Sequence, residues 1–387
     1  MTRSGWCVGI SGLLLLAAGW WADYPPLVVL GVACLVALAG GAAWVSIRTD
    51  LVAARQLEPS RISEDEVCRA VLTVRNAGLR RALPTVASER LGPRQIAIPI
   101  PAIRAGGTHR IEYALPATRR GRHEVGPLTV GRSDPFRLLR VDRVSCAPTT
   151  LWVHPRTYRV HALPAGRAQD MDGPTSAGAP RGGVAFYGLR EYVPGDDLRN
   201  IHWRSTARTG TLMVRENVVP HRPQLVVLLD TERDSYHDDY FEEAVRIAAS
   251  LCNSACDGHH PVELRTTGGA LLEVGGDGGG FAGGKAAATA LLDLLAVVEL
   301  NERAGDRGFA GAASTRNRSA SVAVVTGRPS PGRLVGLRRL RERFGFVAVI
   351  ALGAVEDRFS ALIPGALVVH VPTAERFAEA WNAKVAS

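Results

Sequence analysis

Apolar positions recur along the chain in three rhythms, and each rhythm predicts a different kind of element. The first is an unbroken run. Residues 5–22 (GWCVGISGLLLLAAGWWA) and 26–47 (PLVVLGVACLVALAGGAAWVSI) contain no charge. As helices rising ~1.5 Å per residue, both are long enough to cross a bilayer core. Trp20, Trp21, Tyr24 and Trp44 lie at the ends of these runs, where amphipathic rings favour the headgroup layer. The connection holds Asp23 and no basic residue, whereas Arg3, Arg48 and Arg55 flank the outer ends. The positive-inside rule therefore predicts a two-span protein of the cell membrane with its soluble body in the cytoplasm. A cleaved leader fits less well, because a second span follows at once and no A-x-A-like site separates them.

The second rhythm is short alternation. Runs at 67–74, 95–100, 109–115, 127–130 and 151–154 are divided by Asn-Ala-Gly, Ala-Gly-Gly and Gly-Pro turns. This spacing predicts an all-β sandwich, immunoglobulin- or fibronectin-like, over residues 51–154. The third rhythm starts at residue 224. Apolar strands at 224–230, 261–267, 270–274, 321–326, 346–352 and 366–371 alternate with helices at 239–256, 285–300, 332–344 and 374–384. That order predicts an α/β open sheet, Rossmann-like and mainly parallel, with both faces covered. The chain thus divides into a membrane helix hairpin (1–50), the sandwich (51–154), a Pro/Gly-rich linker (155–183), a polar signature segment (184–222) and the α/β domain (223–387).

A net charge of +9 raises the question of nucleic acid. Of the 46 basic residues only Lys285 and Lys384 are lysine, and aromatic residues make up 6%. No basic stretch is interleaved with aromatic stacking platforms, so nucleic acid is excluded as a partner. Nine arginines (104, 110, 119, 120, 122, 132, 137, 140 and 143) crowd the later half of the sandwich. They read either as a solvated face or as a surface resting on anionic headgroups, at ~1 kcal/mol per charge. The six cysteines show no disulfide framework. Cys252 and Cys256, with His259 and His260 nearby, extend the apolar stripe of Ala244, Ile247, Ala248 and Leu251, so they read as buried hydrophobes.

Three motifs could carry chemistry. The stretch 279–285 (GGFAGGK) fits a phosphate loop, but Ala286 stands where a magnesium-holding hydroxyl belongs, and a glycine-rich entry to a helix explains the same letters. Asp230 ends the first apolar strand and resembles the opening Asp of the metal-ion-dependent adhesion site in von Willebrand factor A-like domains. Glu232 and Asp234 stand at that motif's serine positions, and the fourth strand ends at Thr326 without the expected acid. If the segment is extended, Asp230, Glu232 and Asp234 alternate to one side and could offer oxygens to a magnesium ion at a degenerate site.

The densest motif is 192–210 (YVPGDDLRNIHWRSTARTG). Asp196 or Asp197 is expected to cap a helix over 198–207 that stops at Gly210. Arg199 and Trp203 are then spaced to stack, and Arg204 and Arg208 sit towards the favourable helix C-terminus. A catalytic reading would make His202 a base oriented by Asp196 or Asp197, but Ser205 lacks a nucleophile elbow. A metal held by Asp196, Asp197 and His202 is the other chemical option. The structural and protein-contact reading, over Arg190, Tyr192, Asp196, Asp197, Arg199, His202, Trp203, Arg204 and Arg208, accounts for more of the residues.

The stretch 188–216 (GLREYVPGDDLRNIHWRSTARTGTLMVRE), preceded at 119–136 by RRGRHEVGPLTVGRSDPF, resembles the bacterial domain of unknown function 58 family. The resemblance extends over nearly the whole chain. It implies a von Willebrand factor A-like C-terminal domain and a membrane-anchored protein that works with MoxR-type AAA+ ATPases. It implies no catalytic residues. The expectation is therefore a non-enzymatic adaptor in the membrane, with no cofactor beyond a magnesium ion at the degenerate site.

Overall fold

Both long apolar runs are helices. In the computed structural model, α1 spans Arg3–Trp21 and α2 spans Pro25–Ser46, joined by a tight turn in which Asp23 takes a positive φ of 47°. The described residues are 2–46, 50–116, 119–136, 138–161, 185–194, 196–218, 224–237, 239–274, 284–302, 320–328, 331–353 and 363–386. The chain divides into two compact units, one built on Met1–Arg156 and the other on the chain beyond it. The linker 155–183 is thus described only at its start, and most of it lies outside these residues.

The first unit joins the hairpin to the sandwich. Its smaller sheet orders β1 (Leu51–Glu58), β3 (Cys68–Asn76) and β6 (Thr108–Leu115) antiparallel as β1-β3-β6. Its larger sheet runs from β2 (Arg61–Ser63) through β10 (Thr149–His154), β7 (Gly121–Val125), β4 (Thr85–Leu91) and β8 (Leu128–Ser133) to β9 (Arg140–Cys146), with β5 (Arg94–Ile100) also on β4. β7 and β8 meet the same strand β4 at different levels, Leu91 facing Val125 and Ser88 facing Thr129. They are consecutive strands separated by Gly126-Pro127, and the φ of +108° at Gly126 makes the bend. A Cβ on Gly126 would stand 3.0 Å from the Arg55 guanidinium.

That contact exposes a feature hidden in the alternation. Arg55 was expected beside the membrane as a topology signal; instead it lies on the inward face of β1 and forms a buried ion pair with Glu89 of β4. Tyr113 of β6 donates its hydroxyl to the other Glu89 oxygen, and Arg55 also donates to Ala147 O (2.9 Å) and Thr149 Oγ1 (2.6 Å). Burial, then the bond to Glu89, pushes the Tyr113 hydroxyl far above its ordinary range. A buried pair is stable only when its remaining donors and acceptors are met. Here three strands and a loop meet most of them.

The second unit holds a six-stranded sheet ordered β15-β14-β13-β16-β17-β18. Its strands are β13 (Leu225–Leu229), β14 (Val262–Thr266), β15 (Leu271–Val274), β16 (Ser321–Thr326), β17 (Phe346–Leu352) and β18 (Leu367–Val371). All neighbours are parallel except β15, which returns antiparallel on β14. Every residue of β13 and β16 is buried, as expected of strands covered on both faces. The helices that alternate with these strands in sequence are α4 (Tyr240–Asp257), α5 (Gly284–Val297), α6 (Pro331–Arg343) and α7 (Ala374–Ala386). Cys252 and Cys256 of α4 are buried free thiols, and burial pushes the Cys256 thiol up to about 11. They are packing residues.

The start of the linker is a strap across this unit. Tyr158 N–H donates to Ser250 Oγ (2.9 Å) and Ser254 Oγ donates to Val160 O (2.7 Å), both on α4. On α7, Trp381 Nε1 donates to His161 O (2.9 Å) and Asn382 Oδ1 accepts from His161 N–H (2.7 Å). The composition of 155–183 predicts a connector, mobile or tethered along the surface; its first described residues are tethered, with backbone groups bonded to two helices.

Glu89→Ala should destabilise the sandwich by about 3–5 kcal/mol, because Arg55 is left charged, buried and unpaired. Replacing both partners, Arg55→Met with Glu89→Leu, should recover most of that loss. Urea unfolding of the detergent-solubilised chain checks both, and equal losses in the single and double variants would refute the account.

Candidate functional site

Three neighbouring strands of the parallel sheet end in polar residues at the same edge. β13 runs into Asp230, β14 into Thr267 and β16 into Thr326. Asp230 is fully buried, and its carboxylate is met by donors on both oxygens. Oδ1 accepts from the Glu232 N–H (3.1 Å) and Thr267 Oγ1 (3.2 Å), and Oδ2 accepts from Thr326 Oγ1 (2.8 Å). Thr267 gives its single proton to Asp230, so its oxygen is the acceptor for Thr231 N–H (2.8 Å) and Thr231 Oγ1 (3.1 Å). Beneath them the Tyr236 hydroxyl donates to Asp230 O (2.8 Å), and burial pushes that hydroxyl well above its usual range.

Each threonine precedes a glycine that lets a neighbouring group come close. A Cβ on Gly268 would fall 2.0 Å from Asn301 Nδ2, and one on Gly327 would fall 2.0 Å from Ser235 O. Asn301 ties the edge together, donating to Thr231 O (2.7 Å) and accepting from Arg233 N–H (3.1 Å).

The expected extended run of Asp230, Glu232 and Asp234 does not form. Arg233–Ser235 coil into a 3-10 turn, so Asp234 is exposed within that turn, and it is the Glu232 backbone N–H that reaches Asp230. Alternation to one side needs a strand, and the turn breaks it. Among the described residues no three His, Cys, Asp or Glu side chains converge as a metal would require. The glycine stretch 279–283 lies outside the described residues; Lys285 is exposed in the first turn of α5.

The signature folds as an excursion from a two-stranded stem. β11 (Ala185–Glu191) pairs antiparallel with β12 (Met213–Val218). The excursion is closed at its base by Tyr192 N–H to Leu212 O (2.8 Å), His202 N–H to Met213 O (2.8 Å) and an Ile201–Val214 bridge. That bridge corrects the single helix expected over 198–207. Leu198–Asn200 is a 3-10 turn, Ile201 is drawn into the stem and buried, and α3 starts afresh at Trp203–Thr209.

The cap is therefore His202 rather than an aspartate. Its Nδ1 accepts from Ser205 N–H (3.2 Å) and lies 2.8 Å from Ser205 Oγ. Gly210 closes the helix with φ 77°, as its position predicts. Asp196 instead binds Arg190 through both oxygens (2.6 and 2.7 Å) and accepts from Val193 N–H (3.0 Å). The Arg190 guanidinium, then the Val193 N–H, lowers the Asp196 carboxyl to about 2. Asp197 starts the 3-10 turn through its carbonyl, which accepts from Asn200 N–H (3.0 Å). The structure thus brings His202 to Ser205 and Asp196 to Arg190, and does not assemble the aspartates with His202.

The outer surface of the excursion is apolar and basic. Trp203 is 68% exposed, and Val193, Leu198, Arg204 and Arg208 are exposed as well. Tyr192 is half-buried, and the Arg199 side chain lies outside the described residues, so its expected stacking on Trp203 does too. Sequence reasoning passed over Thr267, Tyr236 and Asn301. The signal available for Thr267 and Thr326 was the repeated Thr-Gly at the ends of two apolar strands.

Thr326→Val should cost about 1.5–3 kcal/mol, the range for a hydrogen bond to a charged group, and Asp230→Ala should cost more by leaving several donors unmet. Thermal unfolding reads both, and a Thr326→Val loss under about 0.5 kcal/mol would remove the cage from the account. A carbon-13 titration of Asp196 should show a midpoint near 2, moving up towards the usual ~3.9 in Arg190→Gln. Since the folded value is depressed, the pair contributes stability above the unfolded value and loses it as pH falls through about 2.

Comparison with known proteins places these features. Residues 188–376 match the family model described as protein of unknown function DUF58. Over 148 residues the chain is 29% identical to the uncharacterized protein YeaD of Bacillus subtilis (strain 168), covering 37% of this chain and 35% of that protein. The match therefore spans about a third of that relative's length. Among solved structures, the CARDB domain of the PF1109 protein of Pyrococcus furiosus is 12% identical over 27% of this chain and 88% of that one, with a TM-score of 0.23. Red sea bream transglutaminase is 18% identical over 27% and 15%, with a TM-score of 0.20. Likeness that slight carries no argument about activity. The signature excursion and the α/β sheet both fall within the residues that match the DUF58 family model.

Proposed function

We propose that this chain is a DUF58 member and a non-enzymatic, membrane-anchored adaptor. In this reading the signature excursion and the α/β unit, which we take to be von Willebrand factor A-like, engage a cytoplasmic AAA+ ATPase of the MoxR type. The observation that carries it is the excursion's surface: an exposed indole, two exposed aliphatic side chains and two exposed arginines on a hydrogen-bonded base. Tryptophan and arginine are the residue types that most often dominate protein interfaces. The polar groups beside them are engaged locally, His202 with Ser205 and Asp196 with Arg190. The two apolar helices support an anchor, and the charge asymmetry of their flanks supports a cytoplasmic body.

The alternative is a metal-dependent ligand binder or hydrolase at Asp230, or at Asp196, Asp197 and His202. It has less support, because the donors around Asp230 already occupy both carboxylate oxygens.

Tagged chain drawn from its native membranes should recover an AAA+ ATPase. Trp203→Ala combined with Arg204→Glu should lower that recovery by about tenfold or more, the loss expected at an interface hot spot. Thr326→Val, at a fully buried position, should leave it unchanged. A wild-type bait that recovers no such ATPase, or a double variant that recovers as much as wild type, refutes the adaptor.

A further inference from the structure

The Asp-Pro-Phe segment between β8 and β9 is not used by any role above, yet it is built with care. The Asp134 side chain is buried and ties the loop to itself, accepting from Phe136 N–H (3.0 Å) and Leu139 N–H (2.6 Å). Asp134 N–H donates back to Leu139 O (3.2 Å). The loop is then fastened to the hairpin: Leu138 O accepts from both Thr2 N–H (3.1 Å) and Thr2 Oγ1 (2.7 Å), at the residue that caps α1. Two helix glycines make room for it. A Cβ on Gly5 would fall 2.1 Å from Leu138 O, and one on Gly41 would sit 3.4 Å from Asp134 Cγ and 3.5 Å from a Leu139 methyl.

These contacts set the level of the loop along the hairpin. Gly5 and Gly41 both lie inside the apolar spans Ser4–Trp21 and Pro25–Val45. Gly41 is four residues short of the second span's end, ~6 Å along a helix axis. A loop packed against that level stands at the boundary between headgroups and acyl chains. Leu138 is buried there, while Phe136 is 73% exposed. Entry into an apolar layer requires backbone polar groups to be met internally, and the Asp134 bonds meet several of them.

We propose that Phe136, in the turn held by Asp134, is a third membrane contact, inserted into the lipid interface beside the cytoplasmic end of the hairpin. The occupant is the bilayer itself, because the loop continues the apolar surface of two helices already suited to lipid. The inference rests on the membrane reading of the hairpin and adds an insertion point contributed by the sandwich. Its consequence is mechanical: a β-domain held at both the chain connection and this loop is restrained in its tilt against the membrane.

The test places p-benzoylphenylalanine in turn at Leu13, Phe136 and Val67 of the full chain, reconstituted in phosphatidylcholine–phosphatidylglycerol vesicles. Leu13 is an exposed position on α1. Val67 is also exposed but adjoins Cys68, near the end of β1 remote from the hairpin, where Glu58 pairs with Arg69. After irradiation, mass spectrometry should find lipid adducts at Leu13 and Phe136, with at least fivefold less at Val67. An adduct at Leu13 without one at Phe136 overturns the proposal and leaves the hairpin intact. Absence at Leu13 overturns the hairpin reading and the proposal with it. A Phe136 crosslink to another polypeptide instead of lipid, or labelling at Val67 as heavy as at Phe136, also overturns it.

Discussion

A polar group withdrawn from water must find a partner, and the parts of this protein are arranged around that requirement. The two apolar helices of the hairpin, long enough to cross a bilayer, satisfy their peptide groups within each segment. Inside the sandwich the requirement joins strands from opposite sheets, Arg55 on β1 reaching Glu89 on β4 while Tyr113 on β6 closes the second carboxylate oxygen. In the α/β unit it surrounds Asp230 with hydroxyls from the two flanking strand ends. The loop at Asp134 obeys it on a smaller scale. The Arg55 and Asp230 networks tie together elements far apart in sequence, so they fix which strands meet as well as stabilising their meeting.

The Asp230 edge shows how such a network can convert a site. In a parallel sheet the carboxyl ends of the strands are where ligands usually bind. An acid there, left with an open side, is a ligand for a cation or a base. Here the open side is filled by Thr267 and Thr326, and the Tyr236 hydroxyl holds the backbone below. The glycines that follow both threonines bring Asn301 and the Ser235 carbonyl up against the same edge. The outcome is a neatly satisfied corner whose acid organises three strand ends. These bonds give Asp230 a structural part at the junction of the three strand ends.

Legibility in the sequence followed how far each element depends on its own residues. The hairpin and the α/β elements were readable to within a few residues, because apolar runs and helical stripes are local signals. β16 and β17 span the predicted residues. In the sandwich, β1 was passed over because Arg55 occupies an inward position between Ala53 and Leu57, and an inward charge breaks the expected pattern. β9 was passed over because it is largely exposed on both faces and carries no alternation. The signature helix was misread at one residue. Ile201 looks like part of an apolar helix face, and only the partner Val214, thirteen positions on, draws it into the stem and splits the helix. The Asp230 donors were invisible for the same reason, since Thr267 and Thr326 are ordinary residues until the sheet order sets them beside the acid.

The Arg190–Asp196 pair shows why polar density in the signature need not mean chemistry. An exposed ion pair adds little to stability, because solvent screens it and holding two side chains costs entropy. Its effect is on shape. By gripping Asp196, which also takes the Val193 N–H, Arg190 fixes the corner from which Val193 projects. His202 fixes the other side by capping the helix that begins with Trp203. Two polar contacts thereby hold an aliphatic side chain and an indole in place before any partner arrives, which reduces the ordering cost of binding. On the proposed adaptor reading, the acids and the histidine of this surface serve as supports, and recognition falls to the apolar and arginine side chains they hold up.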